Sequence, residues 1–321
     1  MTWYKLSTRS ARLGACALSA CLLALGACDA NELLEPQADA PLEAADAAPD
    51  EGAGVEVVAL DDTLLASVTR RGIAIGHFAQ PVSTFGSTYN GGHQNFSPGS
   101  IVSELKAIRA RGGRVVVALS GSPKYYRQDG YFSFEKWKSR VNRFKGVGLS
   151  QFVRDGTIIG HFMIDEPNDP ANWHGRPVPP AMLEKMAKYS KQLWPRMPTI
   201  VRVEPGYLGH NHQYLDAAWA QYLHRKGPVE SFRRRNVSAA QERRLGLVVG
   251  LNVLNGGIPN GTRMTASEVR RWGSALLESS YPCAFVSWTY DRRYLGSSSV
   301  ADAMRALRRK AESRSSKSCR T

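Results

Sequence analysis

From residue 73 onward, short apolar segments of strand length alternate with amphipathic segments of helix length. Repeated strand–helix order places successive strands parallel in one sheet that helices cover. In one helical segment, Thr265 and Glu268 have capping-box spacing, and Val269, Trp272 and Leu276 repeat on one face. The predicted strands are residues 73–78, 114–120, 158–164, 199–204, 247–252 and 285–290, with weaker candidates at 215–219 and 55–60.

About 265 residues follow the first 54, which is a usual length for a single (β/α)8 barrel. Seven or eight strand–helix units in that length predict a closed, TIM-like barrel over residues 55–321, of class α/β. A doubly wound open sheet is the main competing architecture, but no glycine-rich phosphate-binding loop follows any predicted strand. Residues 80–97 are predicted to form a long loop that helps to cover the barrel mouth. It carries Phe85, Tyr89, Asn90, His93 and Asn95.

The carboxyl end of each predicted strand is polar or aromatic, whereas the strand beginnings are mostly valine and isoleucine. Because the loops of a barrel converge over the carboxyl ends of its strands, this asymmetry predicts a binding mouth. Aromatic rings stack on the C–H faces of sugars, and amides and charged groups bind their hydroxyls, so a glycan is the predicted ligand. For the histidines and tryptophans, packing in the core is the competing interpretation. The candidate substrate-binding residues are His77, His161, Lys124, Tyr125, Arg202, Trp219, Gln221, Tyr222, Asn252, Asn255, Trp288 and Tyr290.

An apolar run over residues 157–164 ends in Asp165, Glu166 and Pro167. Pro167 has no N–H for a strand ladder, so the strand is predicted to end there with both carboxylates at the mouth. Glu166 is the predicted general acid. Asp165 is a second catalytic candidate, because strand alternation turns it inward together with His161 and turns Phe162 toward the helices.

Hydrolysis of a glycosidic bond requires two carboxyl groups, one protonated and one ionised. Glu204 is the first candidate for the partner of Glu166, because it ends the next recognisable strand. Arg202 shares strand parity with Glu204 and is expected to hold it ionised, although an interior salt bridge without catalysis fits equally. Asp291, at the last strand end, and Asp216 follow as candidates.

The three residues 165–167 resemble the Asn-Glu-Pro that ends a strand in the large clan of retaining (β/α)8 glycoside hydrolases. This resemblance implies that Glu166 is the acid/base and that Trp288 is an aromatic platform for sugar. The nucleophile of that clan is a glutamate at the tip of the penultimate strand, but residues 247–257 contain no carboxylate, and Asn252 and Asn255 stand there. Two hypotheses remain: a hydrolase with another second carboxylate, or an inactive barrel that binds carbohydrate or serves as an envelope scaffold.

Two other kinds of chemistry find no support in the sequence. There is no Gly-x-Ser-x-Gly nucleophile elbow, which argues against a hydrolase acting on a non-sugar bond through such a serine. No His/Cys cluster has the spacing of zinc ligands. Neither a metal nor a cofactor is therefore predicted.

Residues 1–27 have the pattern of a signal peptide: Lys5, Arg9 and Arg12 precede a short apolar stretch. Residues 25–28 (Leu-Gly-Ala-Cys) resemble the lipobox of bacterial lipoproteins, which implies cleavage before Cys28 and acylation of that cysteine. Two or more acyl chains hold a protein stably on a membrane. The expected location is therefore outside the cytoplasm, anchored to a bacterial membrane.

Residues 28–54 contain eight acidic and no basic side chains among many alanines and prolines, which predicts a disordered, extended tether. Three of the 42 basic and eight of the 28 acidic residues precede residue 55, so residues 55–321 have a formal charge near +19. Such a surface attracts anionic lipids or acidic polysaccharides. Nucleic acid is not an expected partner of an exported protein. A generally arginine-rich surface composition is the competing explanation for the charge.

Cys283 begins the last predicted strand, and Cys319 follows the last predicted helix. In a barrel each helix runs antiparallel to its strand, so both cysteines are expected at the amino-terminal face. A disulfide between them and two free thiols are both compatible with the sequence.

Overall fold

Eight parallel strands curl into a nearly closed barrel, and helices cover its outer side. The computed structural model describes residues 72–86 and 88–320. Its strands, of which β4 and β5 form a separate small hairpin, are β1 (Ala74–His77), β2 (Gly91–Asn95), β3 (Arg114–Ala118), β4 (Arg127–Gln128), β5 (Tyr131–Phe132), β6 (Ile158–Asp165), β7 (Thr199–Arg202), β8 (Ala217–Tyr222), β9 (Gly246–Leu251) and β10 (Ala284–Ser287). The helices are α1 (Ile101–Ala110), α2 (Phe134–Asn142), α3 (Ser150–Arg154), α4 (Pro180–Leu193), α5 (Val229–Glu242), α6 (Ala266–Leu276), α7 (Arg292–Leu295) and α8 (Ser298–Glu312).

Four expectations fall outside the described residues: the signal peptide at 1–27, the acylated Cys28, the tether at 28–54 and the weak strand at 55–60. Within the described part of the chain, no helix has the length and apolar character needed to cross a membrane.

The strands follow the order β1–β10–β9–β8–β7–β6–β3–β2 around the barrel, and the paired neighbours are parallel. β1 and β2 complete the ring side by side, where a Cβ on Gly76 would lie 1.8 Å from a backbone oxygen of β2. In the described residues these two strands share no regular ladder. Instead the Ile75 N–H donates to Asn90 Oδ1 and the His77 N–H donates to Gln80 Oε1, both at 2.9 Å. Side chains therefore close this seam of the barrel.

The second barrel strand, β2, lies inside the segment predicted as a long loop, so that prediction is wrong for residues 91–95. β2 pairs with β3 in continuous register from Gly91 opposite Arg114 to Asn95 opposite Ala118. Its sequence, Gly-Gly-His-Gln-Asn, has none of the β-branched residues that usually indicate a strand. The glycines are explained by close packing, because a Cβ on Gly91 would lie 2.7 Å from the Cβ of Ala74.

Side chains of the barrel strands alternate between the barrel interior and the layer under the helices. The interior is filled by a separate cluster that includes Ala74, Val116, Phe162, Ile200, Ala217, Trp219, Val248 and Val286. The carboxyl ends of the strands surround the mouth, which is defined here by Asp165, Arg202, Gln221, Asn252 and Trp288. The amino ends surround the opposite, bottom face.

Candidate active site

Arg202 is the centre of the mouth, because it contacts both carboxylates at the end of β6. Its Nε donates to Asp165 Oδ1, its Nη2 lies 3.1 Å from Glu166 Oε1, and its Nη1 donates to Gln221 Oε1 at 2.6 Å. The guanidinium carbon lies 4.4 Å from the centroid of the Trp288 ring. Arg202 is only 5% exposed, so its planar fork is fixed by partners from β6 and β8 and by an aromatic face.

A register shift in β6 determines which carboxylate points inward. The pairing of β6 with β7 is irregular between Phe162 and Ile164, and Phe162 and Asp165 consequently both face the interior. Asp165 is the inward residue, as strand alternation predicts, but Phe162 faces the interior rather than the helices. Glu166 leaves the strand with φ of +37°, an uncommon conformation for a residue with a Cβ. Its side chain is 47% exposed, whereas that of Asp165 is 16% exposed.

The two carboxylates differ in access to the mouth and in what holds them. The backbone of Glu166 is fixed on both sides: its N–H donates to the Arg202 carbonyl at 3.0 Å, and its carbonyl accepts from Trp173 Nε1 at 3.0 Å. Burial raises the pKa of Asp165 to about 6, although Arg202 opposes the shift and the Glu166 charge adds to it. A carboxyl with that pKa carries a proton in a substantial fraction of molecules at mildly acidic pH.

The floor of the mouth is aromatic. The Phe78 ring stacks on His93 with centroids 3.7 Å apart and lies 4.5 Å from Trp288. Phe162 and Trp219 complete the cluster, and Trp219 Nε1 donates to the Val286 carbonyl at 3.0 Å. Burial and the Arg202 charge lower the pKa of His93 to about 3, so its ring is neutral. The charged groups therefore rest on an apolar, close-packed base.

Several of the predicted substrate-binding residues do lie at the mouth. Tyr125 is 46% exposed, and the guanidinium of Arg140 lies 4.2 Å from its ring centroid; Lys124 is next to it. On the other side, Asn252 forms a β-bridge with Trp288, and its Oδ1 accepts from the N–H of Asn255 at 3.0 Å. Tyr125, Lys124 and Asn255 are exposed and follow the carboxyl ends of β3 and β9.

Glu204 does not pair with Arg202, so that expectation is wrong. β7 ends at Arg202, and the chain turns at once, with the Val203 N–H donating to the carbonyl of Val201 at 3.1 Å. The turn directs Glu204 toward α5, where its carboxylate meets Lys226 Nζ at 2.7 Å and Asn236 Nδ2 at 3.3 Å. Strand parity could not predict this, because the strand stops two residues before Glu204.

The other proposed partner carboxylates are also engaged elsewhere. Asp291 caps α7, with its Oδ1 accepting from the Tyr294 N–H at 2.6 Å, and its Oδ2 lies 3.4 Å from Arg263. Asp216 precedes β8 and therefore lies at the bottom face, where it accepts from the Thr199 N–H at 2.8 Å and pairs with Lys191. Asp165 and Glu166 are thus the carboxylates that the described structure brings together on Arg202.

Two predicted histidines lie outside the barrel interior. His161 is fully buried under the helices, with its Nδ1 2.9 Å from Ser190 Oγ and its ring stacked 6.0 Å from Trp137. His77 is fully buried against Tyr89, at 5.0 Å between ring centroids. Burial lowers the pKa of both histidines to about 3. Neither side chain reaches the mouth, so the prediction that these two histidines bind substrate does not agree with their positions.

Three further candidates have mainly structural surroundings. Tyr222 faces the helices, packs on Phe232 and Trp272, and donates its hydroxyl to the Gly227 carbonyl at 2.9 Å. Trp219 is fully buried in the interior, below the mouth. Tyr290 is partly buried and lies 6.5 Å from the ring of His77.

Sequence reasoning missed the two phenylalanines of the floor. Gly-His-Phe occurs at 76–78 and at 160–162, and in both copies the phenylalanine faces the interior while the histidine faces the helices. The repeated Gly-His-Phe was the sequence signal that pointed to these phenylalanines, but the functional role was predicted for the polar histidines instead. Among the described residues, no cluster of three or more His, Cys, Asp or Glu side chains could hold a metal ion.

Comparison with known proteins identifies the fold. No protein-family model matches the chain, and no curated protein matches its sequence. Similar solved structures include a cellulase–inhibitor complex (12% identity, 74% of this chain and 92% of that chain, TM-score 0.50) and a GH18 chitinase from Pseudoalteromonas aurantia (12%, 74% and 99%, TM-score 0.48). Saccharomyces cerevisiae Gas2p with laminaritetraose and laminaripentaose is a third (12%, 78% and 67%, TM-score 0.49). At such low identity the similarity concerns the fold alone, which is a TIM-like barrel.

Proposed function

We propose that this chain binds a poly- or oligosaccharide across the barrel mouth and hydrolyses a glycosidic bond with Glu166 as the proton donor. The observation that carries the proposal is the Asp165–Arg202–Glu166 arrangement at the end of β6. Glu166 is half exposed on a fixed backbone, so it can reach a ligand, and Arg202 holds its carboxyl group in one place. A positioned carboxylic acid can protonate the leaving oxygen of a sugar.

The surroundings of Glu166 suit a sugar ring. Trp288 lies beside Arg202 as a partly exposed aromatic face, and Tyr125 offers a second face at the rim. Gln221 and Asn252 add amide groups to the mouth; the Gln221 oxygen accepts from Arg202, and the Asn252 oxygen accepts from the Asn255 N–H. Aromatic faces with a few convergent polar groups are the usual composition of carbohydrate sites.

The contacts of the two carboxylates indicate the role of Asp165 in the proposed reaction. Asp165 stands directly beside Glu166, shares Arg202 with it, and has a raised pKa. Two successive residues of one strand do not flank a bond from opposite sides, as the two-carboxylate mechanism requires. Asp165 is therefore assigned the role of positioning Arg202. As the glycosidic C–O bond breaks, the leaving oxygen takes the proton of Glu166; the water that forms the new C–O bond, and the base that takes its proton, must act from the opposite rim.

A second candidate function is glycan binding without cleavage. It is favoured by the engagement of Glu204 with Lys226 and Asn236 and of Asp291 with the start of α7. In this case the mouth holds the sugar, and Arg202 serves as a fixed recognition group.

The deciding experiment measures reducing-end release by the full chain from neutral and acidic polysaccharides, together with binding to the same polymers. Glu166→Gln keeps shape and hydrogen bonding and should lower release by about 10²–10⁴-fold. The matched control is Glu242→Gln, an exposed carboxylate at the end of α5, which should not change the rate. Glu204→Gln is the informative third variant, because an unchanged rate excludes Glu204 as partner. Binding without release, equal in the parent and Glu166→Gln, would favour the second candidate function.

We also propose that the chain is exported and acylated at Cys28. The support is the basic, apolar and Leu-Gly-Ala-Cys order of the first 28 residues. An alkyne fatty acid supplied to producing cells should label the chain, and Cys28→Ser should abolish the label. Cys21→Ser is the matched control and should retain it.

A further inference from the structure

A cavity of about 320 Å³ opens at the bottom face of the barrel, opposite the mouth. Its wall includes the first residues of three barrel strands, Ala74 of β1, Arg114 of β3 and Ile158 of β6, and the C-terminal segment 316–320 forms one side. Arg114, Arg196, Lys317 and Arg320 supply its cationic groups. These four residues define the basic cavity.

Three of the four cations of the basic cavity form no ion pair in the part of the chain that the structure describes. Arg196, Lys317 and Arg320 are exposed, and within residues 72–86 and 88–320 none of these three lies at ion-pair distance from a carboxylate. The acidic residue in the wall, Asp155, is already paired with Arg109 at 2.6 Å. An anion placed among these cationic groups would be attracted by all of them.

The shape of the basic cavity is fixed by a covalent bond. A disulfide joins Cys283, just before β10, to Cys319, with Cα atoms 5.2 Å apart. The carbonyl of Cys319 also packs so close to Gly246 that a Cβ there would lie 2.7 Å away. The backbone of the segment that carries Lys317 and Arg320 is therefore held against the strand ends, which reduces the loss of chain entropy on binding.

We propose that the basic cavity binds phosphate headgroups of an anionic lipid surface, with the bottom face on the membrane and the mouth directed away from it. A second cavity of about 360 Å³ adjoins it through Arg196 and adds Arg154, so the basic surface is broader than one headgroup. Clustered Lys and Arg side chains are the usual protein contribution to binding an anionic leaflet. This assignment is independent of hydrolysis at the mouth.

The entry point of the chain favours a lipid surface over a soluble phosphate. Gly72 precedes β1 at the bottom face, and its carbonyl accepts a hydrogen bond from Arg114 Nη1 at 3.0 Å. All residues before it, including the proposed acylation site Cys28, therefore connect to the barrel at this end. The segment that would carry the proposed lipid anchor thus leaves the described domain at the same end as the basic cavity, and a contact between the cavity and the anchoring membrane would be intramolecular in character.

The test is sedimentation of the full, unacylated chain with vesicles of phosphatidylcholine alone or with phosphatidylglycerol added. The readout is the ratio of the two partition coefficients, because apolar binding by the N-terminal segment contributes to both. Replacing Arg196, Lys317 and Arg320 by Gln together should lower this ratio by up to about 100-fold, roughly fivefold per charge. The matched control removes three exposed charges from helices α1, α5 and α8 by Lys106→Gln, Arg234→Gln and Arg309→Gln, and should have a much smaller effect.

Two outcomes would overturn the proposal. If the bottom-face and control variants lost the preference for phosphatidylglycerol vesicles equally, binding would respond to net charge rather than to this cavity. Calorimetric binding of inorganic phosphate that the bottom-face substitutions remove, with no preference for phosphatidylglycerol vesicles, would make the cavity a soluble-phosphate site. Thermal unfolding of all variants verifies that the barrel stays folded. The parent's preference for phosphatidylglycerol vesicles should weaken as salt is raised from 0.05 to 0.3 M, because the Debye length falls through about 10 Å at 0.1 M.

Discussion

Replacing Asp165 with asparagine should change how the stability of the barrel depends on pH. Asp165 faces the interior at the mouth and contacts Arg202, and burial raises its pKa to about 6. Asparagine has nearly the same shape and does not titrate. The variant therefore removes the proton equilibrium of this site, and the difference between asparagine and the protonated aspartic acid adds an offset that does not change with pH.

The expected size and sign follow from proton linkage. An aspartate in the unfolded chain titrates near pH 3.9, so the folded pKa is higher by about 2 units, which corresponds to about 3 kcal/mol. Because the folded state holds the proton more tightly, Asp165 contributes stability that is present below about pH 4 and is lost as the pH rises through about 6. The free energy of unfolding of Asp165→Asn, relative to the parent, should thus increase by up to about 3 kcal/mol between pH 4 and pH 7.

Urea unfolding of the two proteins at pH 4, 5, 6 and 7 measures this difference directly. Asp302→Asn, which removes an exposed carboxylate paired with Arg305, is the control and should shift stability by less than about 0.5 kcal/mol at every pH. A difference that stays flat, or that falls as the pH rises, would refute the reasoning. It would mean that the Arg202 contact outweighs burial and keeps Asp165 ionised throughout.

Three further outcomes are expected. Gln221→Leu leaves the Nη1 donor of Arg202 without its acceptor and should lower the free energy of unfolding by about 1–3 kcal/mol in urea; an unchanged midpoint would contradict this. Trp288→Ala removes the aromatic face beside Arg202 and should weaken glycan binding in calorimetry by about tenfold, whereas unaltered binding would place the sugar elsewhere. Cys283→Ser breaks the bond to Cys319 and should cost about 2–4 kcal/mol, and reductant should lower the melting temperature of the parent but not of the variant.

The sequence contained enough information to predict the barrel and the position of its mouth. Strands with a continuous apolar pattern were found because burial on both faces produces that pattern, and β6 ends at Asp165, next to the predicted stop. Thr265 and Glu268 form the predicted capping box at the start of α6, because capping depends on a few neighbouring residues. β2 was missed, because Gly91 is required by its neighbour across the barrel rather than by any local preference.

The details of the site were less accessible, and one irregularity explains much of the difference. Alternation along β6 predicts that His161 and Asp165 share a face, but the register shift before Ile164 separates them and leaves Phe162 with Asp165. Such a shift depends on how β7 fits against β6, which no pattern within one strand reports. The turn after Arg202 likewise redirects Glu204. The sequence shows that Glu204 comes two residues after Arg202, but it does not show the direction in which the chain leaves the strand.

The seam between β1 and β2 is the place where the barrel is closed by side chains rather than by a strand ladder. Elsewhere around the ring, separating two strands would break several backbone hydrogen bonds together. At the seam, the N–H groups of Ile75 and His77 each donate to a single side chain. Small separations along this line are therefore the least costly deformation of the cylinder, and its amides should exchange with solvent sooner than those of β8 or β9. The floor residue Phe78 directly follows β1, so a separation at this seam would widen the mouth without unfolding the barrel.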